Sequence, residues 1–408
     1  MNEIALCYDI IENGKIKNNF HHGDYQVERF FNKHISLPNL LLQNEIEFTI
    51  GTTSYGSEYL YKKYKNLTNF YPIEMGSYYG SARTDQLPID DKWFFKKINP
   101  DIEILLWYPT EGFTINRKDE SLNSLFELIH TKYPLNKIRF VFGDFYKSIN
   151  LPDYVNYKPF KNFFWYNTIN NIPKPVLDPN KRSSYDFITL NRKYRVSRYM
   201  VFNDLKLSGM LKNAFYTNLW LSDVSPLAMV KAFRQFYKID RDSRFFDRTH
   251  TNEYIKDLED IEDTISNIKP DIDINLKDID LSNISYLELV NETNFDSTKN
   301  LFITEKTYRS IATGHIFLIC GQPKTLQHLK RNGFQTFDDL FDESYDNISS
   351  FAHRWEIIKK NLELWISMSE SAKQEYYKKS FDKLKSNQEI LYSRNFKKEI
   401  QDLFKDTL

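Results

Sequence analysis

The sequence has little of several features that mark particular classes of protein. It contains only two cysteines, Cys7 and Cys320, far apart and within apolar runs, which argues against a disulfide framework or a cysteine metal site and indicates a reducing compartment. No apolar stretch approaches the roughly 20 residues needed to span a bilayer. The N-terminus lacks the basic region and small-residue cleavage site of a secretory leader. We therefore expect no membrane span and a cytoplasmic location.

The chain also lacks a net charge, because lysine plus arginine and aspartate plus glutamate number 55 each. No overall electrostatic field therefore draws the chain to nucleic acid or an anionic membrane, although a net charge of zero is compatible with a local basic groove. Aromatic residues reach 16%. Such rings can stack on bases or sugars, but the base composition of an AT-rich gene explains them more simply. The length of 408 residues favours two domains.

Short apolar runs alternate with longer, charged segments of helical pattern, which is typical of parallel sheets flanked by helices. In the first half this pattern predicts strands at residues 4–11, 46–50, 102–108 and 138–142. The prolines and turn-forming residues of 170–184 predict an interdomain linker.

The second half repeats the alternation. Strands are predicted at residues 185–190, 286–290, 301–303 and 316–320, and helices at 196–211, from 305 and from 324. Gly314 suits the left-handed position that follows a helix. The predicted fold class is α/β, with Rossmann-like domains at 1–172 and 183–348 and a C-terminal helical segment, 349–408, that packs back across the domains.

The stretch from Leu289 to Gly321 is the richest in polar residues that could act chemically. Thr304 follows a predicted strand and can cap the next helix through its hydroxyl, which leaves Glu305 and Lys306 in the first turn. The free N–H groups of a helix N-terminus can bind a diphosphate, with a lysine beside it to neutralise charge. For this motif alone, a glutamate that complements the helix dipole and a solvated lysine are the simpler interpretation.

A second polar cluster follows the strand predicted at 185–190. Asn191 and Arg192 end that strand, and Arg195 and Arg198 follow at a spacing that puts both on one face of the next helix. Their guanidinium groups suit phosphate oxygens. A solvated basic face is an equally simple interpretation.

Acidic residues suggest a base and a metal site. Glu111, in the loop Pro-Thr-Glu-Gly after a predicted strand, can act as a general base, although a glutamate beside glycine is usually only a turn residue; Asp144 is the next candidate. The Asp-Ile-Asp triplets at 271–273 and 278–280 can hold Mg²⁺ or Mn²⁺. Because both lie in an acidic connection, we expect no metal or other cofactor.

Several of these motifs together resemble the donor-binding signature of α1,3-fucosyltransferase-like enzymes. They occur in the order of that family, as Asn291-Glu292-Thr293, Asp296, Phe302-Ile303-Thr304-Glu305-Lys306, Ala312-Thr313-Gly314-His315-Ile316-Phe317 and Gly321. Residues 185–365 also resemble phage and bacterial glycosyltransferases in which such a helix is followed by Gly333-Phe334-Gln335-Thr336-Phe337 and Asp342-Glu343-Ser344-Tyr345-Asp346.

Three departures from the fucosyltransferase-like pattern bear on the sugar and the base. Asn291-Glu292 inverts the usual order of these two residues, Phe302 replaces a tyrosine, and His315-Ile316 stands where a proline is usual.

The resemblance implies a metal-independent, inverting glycosyltransferase of GT-B-like architecture, a hexosyl- or pentosyltransferase. In such an enzyme, two facing Rossmann-like domains transfer a sugar across a cleft, and a nucleotide-diphosphate sugar is the co-substrate. Residue by residue, Glu305 would hold the ribose, Lys306 and Arg198 would neutralise the diphosphate, and Glu111 would be the base. The other expected donor-binding residues are Asn191, Arg192, Arg195, Asn291, Glu292, Thr304 and Gly321.

The acceptor has two interpretations. The phage likeness favours a hydroxymethylated base in DNA, and a local groove for DNA is predicted from Lys158, Lys161, Lys181, Arg182 and the aromatic run 163–166. The fucosyltransferase likeness favours a glycan or lipopolysaccharide precursor. A different class, a non-catalytic nucleotide- or nucleic-acid-binding protein on the same fold, stays open.

Overall fold

The computed structural model describes residues 4–11, 15–16, 25–26, 37–53, 61–74, 98–108, 126–143, 151–191, 196–218, 281–295 and 301–405. The chain divides into two compact units, Met1–Asn167 with Asn395–Leu408, and Thr168–Arg394. Each unit contains parallel strands and helices, so the prediction of a mixed α/β protein is confirmed. Among the described helices, none has the length and apolar character required to cross a membrane.

The described residues of the first unit form one sheet of eight strands. These are β1 Ile4–Ile11, β2 Lys15–Ile16, β3 Tyr25–Gln26, β4 Phe48–Thr53, β5 Thr68–Glu74, β6 Glu103–Tyr108, β7 Ile138–Phe142 and β8 Val155–Pro159. The parallel strands lie in the order β4-β1-β5-β6-β7-β8, and the short strands β2 and β3 pair antiparallel at the end of β1. Helix α1 spans Leu37–Gln43, residues 126–132 are helical, and helix α2 spans Phe163–Asn171.

One buried charge connects this sheet to the last helix, α9, which spans Lys397–Phe404. All five residues of β7 are buried, including Arg139. A buried guanidinium requires partners, and Arg139 Nε donates to Glu103 Oε2 at 3.0 Å while Nη1 donates to the carbonyl of Leu403 at 2.9 Å. This pairing explains why the C-terminal helix belongs to the first unit.

The aromatic run at 163–166 lies mostly in the core. Phe163, Trp165 and Tyr166 are buried, and the rings of Trp165 and Tyr166 contact Phe396 edge to face. Lys181 is buried as well, and its Nζ donates to the carbonyls of Ser282 and Ser285. The predicted DNA groove is therefore wrong for these residues, because their apolar rings and hydrogen-bonded ammonium are already used in packing.

Four parallel strands form the sheet in the described part of the second unit. They are β9 Phe187–Asn191, β10 Ala214–Asn218, β11 Leu287–Asn291 and β12 Ile316–Cys320, in the spatial order β10-β9-β11-β12. The helices of this unit are α3 Val196–Leu207, α4 Glu305–Ala312, α5 Thr325–Arg331, α6 Phe351–Ser367, α7 Glu370–Lys379 and α8 Phe381–Ser393. From β9 the chain moves outward to β10 and then returns to the other side for β11, so the strand order reverses between β9 and β11.

Local signals predicted several element ends in this unit correctly. Strand β12 has the predicted bounds, Thr304 caps α4, and Gly314 follows α4 with a φ of 67°. The predicted strand at 301–303 is wrong, because these residues have no regular structure. The N–H of Phe302 donates to Gln322 Oε1 at 2.7 Å, so the backbone here bonds to a side chain rather than to a neighbouring strand.

Candidate functional site

Three of the predicted donor residues, Asn191, Asn291 and Glu292, lie at the carboxyl ends of β9 and β11, where the strand order reverses. In open α/β sheets, ligands bind in the crevice outside these strand ends. Asn191 is the last residue of β9 and Asn291 the last of β11, and both are buried. The Nδ2 of Asn291 donates to Thr189 Oγ1 at 2.9 Å, which fixes the Asn291 amide against the neighbouring strand.

Glu292 connects the end of β11 to the start of α4. Its Oε1 accepts hydrogen bonds from Thr304 N at 3.1 Å and Thr307 Oγ1 at 2.6 Å. Its Oε2 accepts from Thr304 Oγ1 at 2.5 Å and from the N–H of Thr293 at 3.2 Å. The Glu292 carboxylate is 1% exposed and has four donors, so it acts as an internal anion at the positive end of this helix.

Gly321 provides room for this carboxylate. A Cβ atom at Gly321 would lie 3.3 Å from both Cβ and Cγ of Glu292, which is a tight contact. Gly321 follows β12, the strand next to β11. Strand pairing therefore brings Glu292 and Gly321 together, and the close approach of the Glu292 side chain explains why a residue without a Cβ atom occupies position 321.

Two cationic side chains converge on the hydroxyl of Thr293. Nη2 of Arg198, from α3, lies 3.3 Å from Thr293 Oγ1, and Nζ of Lys306, from α4, lies 3.4 Å from the same oxygen. Arg198 is 2% exposed and also donates to the Glu292 carbonyl at 3.3 Å. Positive charge from two helices is thus concentrated at one point beside the end of β11.

Lys306 also forms an ion pair with its neighbour, Glu305, in the first turn of α4. The distance from Nζ to Glu305 Oε1 is 2.7 Å, and the Glu305 side chain is 44% exposed. Burial by itself would raise the pKa of this carboxyl, but the charge and hydrogen bond of Lys306 outweigh it and lower the pKa to about 2. Glu305 is therefore ionised at neutral pH.

Asparagine amides at the same edge are incompletely hydrogen-bonded. Among the residues that the structure describes, neither Oδ1 nor Nδ2 of Asn191 has a partner, and Asn291 Oδ1 has none either. Buried polar groups are paired in the great majority of cases. These atoms therefore offer unused hydrogen-bonding capacity at the strand ends.

The motifs at 333–337 and 342–346, which resemble those of phage and bacterial glycosyltransferases, contain side chains that stabilise local structure. Asp346 accepts the N–H groups of Leu326 and Gln327 at 2.9 Å each, at the start of α5. Glu343 accepts from Thr336 Oγ1 at 2.9 Å and from the N–H of Phe337 at 3.1 Å. Within the described part of the chain, neither carboxylate hydrogen-bonds to Thr293 or Lys306, so we assign both to the packing of this segment.

The structure brings together eight of the predicted site residues at or next to the ends of β9, β11 and β12 and the start of α4, namely Asn191, Arg198, Asn291, Glu292, Thr304, Glu305, Lys306 and Gly321. Outside the described residues lie Glu111, Asp144, Arg192, Arg195, Asp296 and the triplets 271–273 and 278–280.

Sequence reasoning did not select Thr293 and Thr307 as site residues. Thr293 is the residue on which both cations converge, and Thr307 donates to the buried carboxylate. The available signal was the position of Thr293 two residues beyond a strand end.

Comparisons with known protein families, with curated proteins and with solved structures gave no match for this chain.

Proposed function

We propose that this protein is a glycosyltransferase that moves a sugar from a nucleotide-diphosphate sugar to an acceptor hydroxyl, without a metal ion and with inversion. The sequence motifs at the ends of β9 and β11 motivate this reaction class. The proposed donor site is formed by Arg198, Lys306 and Thr293.

The observation that supports the proposal best is the convergence of Arg198 and Lys306 on one hydroxyl. When the bond from the sugar to the diphosphate breaks, negative charge grows on the departing phosphate oxygens. Fixed cations aimed at that charge stabilise the transition state more than the ground state. Arg198 is well suited to this task, because its guanidinium is already buried and held by the Glu292 carbonyl.

The geometry also changes which groups we propose for the diphosphate. The donors Thr304 N, Thr304 Oγ1 and Thr307 Oγ1 are already bonded to Glu292. We therefore propose the two cations and the Thr293 hydroxyl as phosphate ligands, rather than the start of α4. Glu292 is proposed as a positioning residue, because it holds the end of β11 and the first turn of α4 in a fixed relation.

We propose Glu111 as the base that takes the proton of the acceptor hydroxyl. Glu111 and its replacement candidate Asp144 lie outside the described residues. For the acceptor, a hydroxymethylated base in DNA and a glycan or lipopolysaccharide precursor are the two candidates. Burial of Phe163, Trp165 and Tyr166 removes one argument for DNA.

A thermal-shift panel of UDP-, GDP- and ADP-sugars tests the donor site, because a ligand that binds only the folded state raises the melting temperature. The expected result is a rise with one nucleotide, abolished by Arg198→Ala. Release of free nucleoside diphosphate from the same sugar nucleotide then separates a transferase from a non-catalytic binder. A chain that binds none of the panel would contradict the proposed donor.

A further inference from the structure

Two asparagines at the reversal point of the second sheet have amide atoms that find no hydrogen-bond partner in the part of the chain that the structure describes. Asn191 ends β9 and is 0% exposed, and Asn291 ends β11 and is 2% exposed. They lie on neighbouring parallel strands, each three residues beyond the paired residues Ile188 and Glu288. Because Asn291 bonds Thr189, which shares a strand face with Asn191, both amides belong to the same face of the sheet.

The unused atoms define what a ligand must supply. Asn191 offers an acceptor, Oδ1, and a donor, Nδ2, and Asn291 offers the acceptor Oδ1 because its Nδ2 is bonded to Thr189. A matching group therefore needs at least two donors and one acceptor. It should also be neutral, because a carboxamide carries no charge to compensate a buried ion.

A vicinal diol meets these requirements, since each of its two hydroxyls both donates and accepts. A uracil edge, with one N–H between two carbonyls, would leave an amide oxygen without a donor. The distance from the proposed diphosphate site also favours a diol. Asn291 and Thr293 are two residues apart, which corresponds to at most about 7 Å of backbone. The ligand group at the amides must therefore be near the diphosphate, as the hydroxyls of a ribose or of a transferred sugar are, and a base edge is farther away.

We propose that Asn191 and Asn291 bind a vicinal diol of the nucleotide-sugar donor. This inference rests on the proposed donor site at Arg198, Lys306 and Thr293. The diol has two sources in such a donor, the ribose and the transferred sugar, and the experiment separates them. The proposal also adds a diol site to the one expected at Glu305.

The test compares Asn191→Leu with the wild-type protein, using as probe whichever of UDP, GDP and ADP raises the melting temperature most. Leucine has a similar shape and removes an amide without partners, so the free variant should melt at the wild-type temperature or above it. Asn387→Leu is the matched control, because this buried asparagine bonds both the N–H and the carbonyl of Gln335. The control should melt at a lower temperature and bind the probe as the wild type does.

Calorimetric titration with the nucleoside diphosphate, its 2′,3′-dideoxy form and the matching sugar nucleotide then gives the affinities. If the ribose supplies the diol, the wild type should bind the dideoxy form about tenfold more weakly, the effect of losing a hydrogen bond or two, and this difference should be smaller in Asn191→Leu, which keeps only the ribose contact expected at Glu305. If the sugar supplies it, the wild type alone should prefer the sugar nucleotide to the nucleoside diphosphate by a similar factor.

Other outcomes would overturn the proposal in distinguishable ways. Equal affinities of wild type and Asn191→Leu for all three probes would mean that the amides hold at most an ordered water. If the wild type binds none of the probes, the diphosphate site itself is wrong. Should Asn191→Leu fail to fold, Asn291→Ser in the same titrations tests the second amide, with the same expected loss and the same overturning result.

Discussion

The four hydrogen bonds to Glu292 allow a quantitative prediction for Glu292→Gln. A glutamine can keep its oxygen towards one pair of donors, but its amide nitrogen then faces the other pair, which is one threonine hydroxyl and one backbone N–H. The hydroxyl can turn and accept from the amide, whereas the backbone N–H loses its acceptor. Each hydrogen bond to a charged group contributes about 1.5 to 3 kcal/mol, so the free energy of unfolding of the second unit should fall by at least about 1.5 to 3 kcal/mol.

Scanning calorimetry is the assay for this loss. For a domain of 150 to 250 residues, about 1 kcal/mol corresponds to roughly 2 to 4 °C, so the transition of the second unit should drop by at least about 3 °C. Thr307→Val removes one donor and should cost about 1.5 to 3 kcal/mol. Glu305→Gln is the control, because its partly exposed ion pair should contribute under about 1 kcal/mol. If Glu292→Gln lowers the transition no further than Glu305→Gln, the buried carboxylate does not hold the helix.

Four further predictions concern the proposed reaction and the ion pair at the start of α4. Lys306→Ala and Arg198→Ala should each lower kcat/KM, with a loss of about 2 to 4 kcal/mol for the more important one, and wild-type turnover by both would refute their role. EDTA should leave turnover intact; loss of turnover that Mn²⁺ or Mg²⁺ restores would instead favour the aspartate triplet at 271–273. Glu111→Gln should keep donor affinity but lose about 100-fold or more in kcat, and normal turnover would shift the assignment to Asp144. The pKa of Glu305 in the folded protein is lowered to about 2. The stability that its ion pair contributes should therefore be present above the unfolded pKa and be lost as the pH falls from about 4.5 towards 2. If the stability difference between wild type and Glu305→Gln does not change over this pH range, the ion pair is contradicted.

Strong local signals were enough to predict part of this protein from the sequence alone. Strands β7 and β12 have the predicted bounds, because continuous apolar runs between turn residues specify buried parallel strands. Thr304 and Gly314 hold the predicted cap and left-handed positions at the two ends of α4, since both depend on backbone chemistry within a few residues.

Only the tertiary structure decided the composition of the candidate site. Thr293 meets Arg198 across 95 residues of sequence, and no local pattern encodes that distance in the chain. Glu292 was predicted to bind the donor, but its four hydrogen bonds give it a structural role that depends on donors 12 and 15 residues away. The aromatic run at 163–166 was predicted to line a groove for DNA, but Phe163, Trp165 and Tyr166 are buried, and the last two pack against Phe396. The pattern of apolar residues along the sequence indicates strands and helices. The partners of polar and aromatic side chains, in contrast, are set by how these strands and helices are arranged in space.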